Sequence, residues 1–130
     1  MSEDYLLLAA RICLSAVYLY SAIDKLTYWQ NGIDFVVRHR LPYPRPVLAG
    51  TIVVQLAGGL MVLLGVYARV GAALLLVFTV AATIACHNPV GLKGEALRRE
   101  LTLSLEHLAI VGGLLLIAIV GPGQLAVIAR

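Results

Sequence analysis

Charge is scarce in this sequence. Only 13% of its 130 residues are charged and 61% are hydrophobic, whereas an ordinary soluble domain holds roughly 25% charged and 45–50% apolar residues. The basic residues are spread among polar segments and leave a net charge of +3. Nucleic-acid binding would need them clustered on one face, so that class is excluded. Cysteine is nearly absent: Cys13 and Cys86 stand alone, with no C-x-x-C redox pair. On the spans assigned below they are offset by about 12 Å along the membrane normal, at 1.5 Å per residue. A disulfide tolerates a Cα separation of only about 7 Å, so both read as small buried hydrophobes. No H-x-x-x-H or E-x-x-H spacing is present. A metal site from His87, His107, Glu106 and Asp24 is chemically conceivable, but no ligand spacing supports it and none is expected. The opening Met1-Ser2-Glu3-Asp4 is acidic and no A-x-A site follows the first apolar run. That run is therefore expected to be retained as a spanning helix rather than cleaved as a signal.

Long apolar runs are what the chain does have. Leu105 to Gly123 reads LEHLAIVGGLLLIAIVGPG and offers no polar face between Leu108 and Val120. Extended back to Leu101, it supplies the ~20 helical residues that cross a hydrocarbon core about 30 Å thick. Three further runs behave alike, giving expected spans over about 5–23, 47–65, 70–86 and 101–121. Between the first two, Leu26, Trp29, Ile33 and Val36 recur at helical intervals among Gln30, Asp34 and Arg38. This predicts a short amphipathic helix in the interface plane. Pro42, Pro44 and Pro46 then predict an extended connection, and His87-Asn88-Pro89 is expected to end the third span. A link of only Val66 to Arg69 makes spans 2 and 3 antiparallel neighbours, with Gly50, Ala57, Gly58, Gly71 and Ala72 allowing close approach. The expected fold class is all-α: one domain over residues 1–130, an integral membrane four-helix bundle with an interfacial amphipathic segment between helices 1 and 2. The two long loops carry seven lysines and arginines, against Arg69 and Arg130 on the other side. That asymmetry places the long loops in the cytoplasm and the termini outside.

Alternating spans gather Asp24, Lys25, Arg45, His87, Glu106 and His107 on one side of the bundle, with Arg11 and Arg69 on the other and Gln55 near the midplane. His87, Glu106 and His107 are the candidate catalytic residues, because imidazole exchanges protons near neutral pH. Adjacent helical positions point about 100° apart, so only one of Glu106 and His107 can face the axis; alternatively both are interfacial and wetted by headgroups. Gln55, Arg11, Asp24 and Lys25 are the candidate substrate-binding residues. A midplane amide needs a partner, which is either another helix or a ligand. Arg11, costly within hydrocarbon by about 2.5–3.5 kcal/mol at a helix centre, either snorkels outward, pairs with a carboxylate or carbonyl, or serves a site. Asp24 and Lys25 otherwise simply cap span 1.

Taken in order, these pieces resemble a known family. Arg11, Ser21-x-x-Asp24-Lys25-Leu26, Leu41-Pro42-Tyr43-Pro44, Gln55-Leu56-Ala57-Gly58-Gly59, Leu64-Gly65-x-x-x-Arg69, His87-Asn88 and the closing LEHLAIVGGLLLIAIVGPG look like the DoxX family of small four-helix bacterial membrane proteins, over nearly the whole chain. Two positions depart from that family's pattern: Gln55 stands where an acid is common, and Glu106-His107 where Lys-Asn is common. The charge of a site at those positions is altered here. The resemblance implies the bacterial inner membrane and a redox subunit resembling the small subunit of thiosulfate:quinone oxidoreductase, with a quinone bound between the helices. It also implies a protein partner or a homo-oligomer. No intrinsic cofactor motif is present, so cofactor chemistry is expected to belong to a partner. The alternative is a non-catalytic membrane anchor for soluble thiol or oxidative-stress oxidoreductases. A small-solute transporter fits less well, because four spans without an internal repeat depart from most secondary-transporter designs.

Overall fold

A computed structural model describes residues 2–87 and 90–126, which form five helices: α1 (Ser2–Thr27), α2 (Trp29–Arg38), α3 (Pro44–Leu64), α4 (Ala68–Cys86) and α5 (Gly94–Val120). The fold is an all-α membrane bundle. α1, α3, α4 and α5 are long and apolar enough to cross a bilayer, and their outward faces carry residues such as Ile84, Leu105, Leu108, Leu116 and Ile119. Helices that satisfy their own backbone groups are the form such segments must take in lipid.

Local signals set the ends. Glu3 and Asp4 lie in the first turn of α1 and Lys25 in its last, the charge order a helix dipole favours. Pro44 opens α3 and Pro46 sits in its first turn, so the connection is shorter than the three prolines suggest. Proline lacks an N–H that the first turn would leave unbonded anyway; what it disfavours is a helical residue before it, and Tyr43 takes a left-handed conformation there with φ 54°. α5 begins at Gly94, ahead of the expected 101, so the polar stretch before the apolar run continues the same helix. Asn88 and Pro89, expected to end span 3, and Arg130, one of the charges used for orientation, lie outside the described residues.

α3 is central: it packs on α1 and α4, α4 packs on α5, and α1 touches α5 more lightly. Gly58 and Gly59 serve opposite neighbours. A Cβ at Gly58 would lie 2.7 Å from Leu75 of α4, and one at Gly59 would lie 3.0 Å from Leu19 of α1. Gly50, expected at this seam, is exposed with nothing within 4 Å. One core cluster joins Tyr18, Val62, Ala72, Leu75, Leu114 and Ile117 across the four spans. A second seats α2 on the bundle through Val36, Ala22, Leu48 and Ile52.

The end that holds Gly65 is closed by chain. Residues 121–126 fold back across it: Arg69 donates to the Val120 carbonyl at 3.2 Å, and the Gln124 amide donates to Asp4 Oδ1 at 3.0 Å. Arg11, 1% exposed, donates to the Leu125 carbonyl. Gly65 is required here. Its φ is 75°, and a Cβ would strike both Arg11 Nη1 and the Ala126 side chain.

Candidate functional site

Towards the other end a cavity of about 600 Å³ opens between α1, α3, α4 and α5, beneath α2. It gathers five of the seven residues singled out from sequence: Asp24, Lys25, Gln55, His87 and His107 all line it. Arg11 does not; it serves the closed end, where its acceptor is a backbone carbonyl. Glu106 does not either. It is exposed on the outer side of α5 while His107 turns inward. The α5 residues that reach the core are Leu114 and Ile117, seven and ten positions beyond His107, so helical periodicity puts His107 on their face and Glu106 off it.

Gln55 is a buried polar group of the cavity wall. Its side chain is 6% exposed and its Oε1 has no hydrogen-bond partner among the described residues. An unsatisfied buried acceptor costs about 1–3 kcal/mol, so the position invites a donor from whatever fills the space. On α1, Lys25 Nζ donates to Ser21 Oγ one turn earlier at 2.5 Å; both residues line the cavity, and Asp24 beside them is more exposed.

The α4–α5 wall is a chain of polar contacts. Thr79 donates to the Leu75 carbonyl at 2.7 Å, so its oxygen accepts from the Tyr18 hydroxyl at 2.5 Å. Thr83 donates to the Thr79 carbonyl at 2.7 Å and lies 2.9 Å from His107 Nδ1. A hydroxyl carries one hydrogen. With that hydrogen committed to the carbonyl, His107 Nδ1 is the donor, and in the neutral ring Nε2 holds the lone pair. His87 repeats the pattern, its Nδ1 lying 3.1 Å from Glu100 Oε2. A carboxylate only accepts, so Nδ1 again carries the hydrogen. Ser104 donates to the His87 carbonyl at 3.0 Å, and the two imidazoles meet edge to face with centroids 5.1 Å apart. Phe35 of α2 stands 6.5 Å from the His87 ring.

Thr79, Thr83, Glu100 and Phe35 were not singled out from sequence. Two of the signals were present: Thr79, Thr83 and His87 recur every four residues, and Glu100, Ser104 and His107 follow four- and three-residue steps on one helix face. Both chemical threads lie inside otherwise apolar or loop-like stretches, where neither thread stands out alone. Cys13 is exposed and Cys86 half-buried, and both are free thiols. Among the described residues, no three His, Cys, Asp or Glu side chains converge as a metal site.

The DoxX family model matches residues 6–88, well over half of the chain. The match includes Gln55 and His87 and stops short of α5. The chain is also similar to the inner membrane protein YphA of Escherichia coli (strain K12), 23% identical over 125 residues that span 96% of this chain and 89% of that protein. No solved structure matches the chain.

Proposed function

The chain belongs to the DoxX family and is a multi-pass bacterial inner-membrane protein, and from that premise we propose that it is the membrane subunit of a redox system, binding a quinone in the cavity between its helices. The observation that carries this reading is Gln55: a buried amide with an unspent oxygen, in the wall of a largely apolar cavity within the span. Ligand sites of this kind combine apolar lining with a few placed polar groups, and a quinone head joins a flat apolar ring to polar oxygens. A Gln amide offers both a donor and an acceptor, so it suits either redox state of such a head. His87 and His107 at the cavity wall would take up or release the accompanying protons, with Lys25 and Asp24 nearer its α1 rim. Electrons would come from a partner protein carrying its own cofactor, docked on the long loops in the cytoplasm.

A second reading rests on the first turns of α5, where exposed Glu95, Arg98 and Arg99 extend the helix beyond its apolar run. Such a polar extension suits a non-catalytic anchor for soluble oxidoreductases. Extraction of the protein purified from native membranes separates the two. Near-stoichiometric quinone, lost in Gln55→Leu or His87→Ala, supports the redox reading. Quinone at the lipid background would sink it and favour the anchor.

A further inference from the structure

Resting on the quinone reading above, we infer that the cavity is built for the reduced, hydroxyl-bearing form of its ligand, a hydroquinone, in preference to the quinone. The inference comes from which polar atoms along the wall are still unspent. His107 gives its Nδ1 hydrogen to Thr83, because Thr83 has already given its own to the Thr79 carbonyl. His87 gives its Nδ1 hydrogen to Glu100. Neither Nε2 has a hydrogen-bond partner among the described residues. In their neutral form the two imidazoles lining this cavity therefore both offer lone pairs, and Gln55 adds its orphaned Oε1.

The two forms of the ligand meet this wall differently. A quinone carbonyl can only accept, so beside either imidazole it would set lone pair against lone pair. A hydroquinone hydroxyl donates and accepts. It can donate to an imidazole Nε2 or to Gln55 while accepting from Lys25, whose ammonium keeps hydrogens beyond the one given to Ser21. Gln55 can turn its amide to serve either form, so the polarity of the site is decided by the two histidines, whose tautomers the neighbouring helices fix. Thr83 and Glu100 are thereby positioning residues: neither lines the cavity, and each acts through a ring that does.

The test uses the full chain in nanodiscs at about pH 8, above the ordinary imidazole range. A short-tailed hydroquinone kept reduced under argon, its quinone, and its bis-O-methyl ether, which has the same ring and no donor, are titrated separately. The hydroquinone should bind about tenfold more tightly than the other two, the order that one unmade buried hydrogen bond costs. Thr83→Val removes the acceptor that pins His107 and should narrow that ratio by improving quinone binding, with the helical circular dichroism unchanged. Saturable binding of the quinone as tight as, or tighter than, the hydroquinone overturns the inference while leaving the quinone reading standing. An unchanged ratio in Thr83→Val overturns the role given to His107. No binding of either form above partition into protein-free nanodiscs overturns both the inference and the reading beneath it.

Discussion

His87 and Glu100 meet across the connection between α4 and α5, Nδ1 to Oε2 at 3.1 Å, although the residue that caps one helix and the first turns of the next supply them. The contact orients an imidazole from behind, as outer-shell carboxylates do for histidines in other sites. Ser104 holds the His87 carbonyl independently, so the end of α4 should keep its place when Glu100 is removed. Glu100→Leu is expected to lower the fraction of His87 carrying hydrogen on Nδ1. Ring nitrogen shifts in 15N-histidine-labelled protein measure that fraction, and unchanged shifts would remove the positioning role.

The Tyr18–Thr79 contact is a buried hydrogen bond between α1 and α4. Tyr18→Phe and Thr79→Val should each destabilise by about 1 kcal/mol. Their double mutant should fall short of additivity by roughly 0.6–1.5 kcal/mol, the range for interhelical pairs in membranes. Equilibrium unfolding in mixed micelles gives the coupling, and strict additivity would show that the bond contributes nothing.

Gln55 is expected to cost stability when the cavity is empty. Gln55→Leu should raise the thermal midpoint of quinone-stripped protein, consistent with removing an unsatisfied acceptor worth about 1–3 kcal/mol. A lower midpoint in the variant would mean that the amide is held by a partner within the bundle.

Two glycines make a paired test of helix approach. A Cβ at Gly71 would lie 2.7 Å from Met61 Cβ and 3.2 Å from the Gly58 carbonyl, whereas Gly112 has nothing within 4 Å. Gly71→Ala should destabilise by about 1–3 kcal/mol through overpacking, and Gly112→Ala should change stability by less than about 0.5 kcal/mol. Comparable losses at both positions would show that Gly112 also faces a packed surface.

Arg11 and the segment that covers it should be coupled. Deleting residues 121–130 strips the buried guanidinium of its carbonyl acceptor and is expected to cost about 3–5 kcal/mol, the usual penalty for orphaning a buried charge. Adding Arg11→Met to the truncated chain should recover at least half of that loss. A double variant no more stable than the truncation would place the tail's contribution elsewhere.

Much of the fold could be read directly, because span length and hydropathy are properties of single segments. Arg11, Ser15 and Tyr18 stand at helical spacing, and all three are buried on one face of α1. The proline-rich connection was harder: proline disfavours helix behind it and permits helix ahead of it, and the second effect decides where α3 begins. For Glu106 and His107 the arbiter was faint: beyond Leu108 α5 is apolar on every side, and only the steps from Glu100 through Ser104 to His107 mark the inward face. Arg11 found a backbone carbonyl, a partner that every residue carries and no motif announces. Thr83 and Glu100 matter through the hydrogen they place on a neighbouring ring, which depends on three-dimensional proximity across helices.

The closed end has a consequence for how the protein is made. Arg11 and the Leu125 carbonyl are separated by 114 residues, and at roughly 5–20 residues per second synthesis of that interval takes roughly 6–23 s. Throughout that interval a cation sits in the first inserted helix with its eventual acceptor not yet translated. Until then the nascent chain must keep Arg11 wet, through the translocation machinery, headgroups or a local water defect. Assembly of the bundle is thus ordered in time. The cavity end can form as each hairpin enters, while the opposite end closes only after the segment beyond α5 has been made.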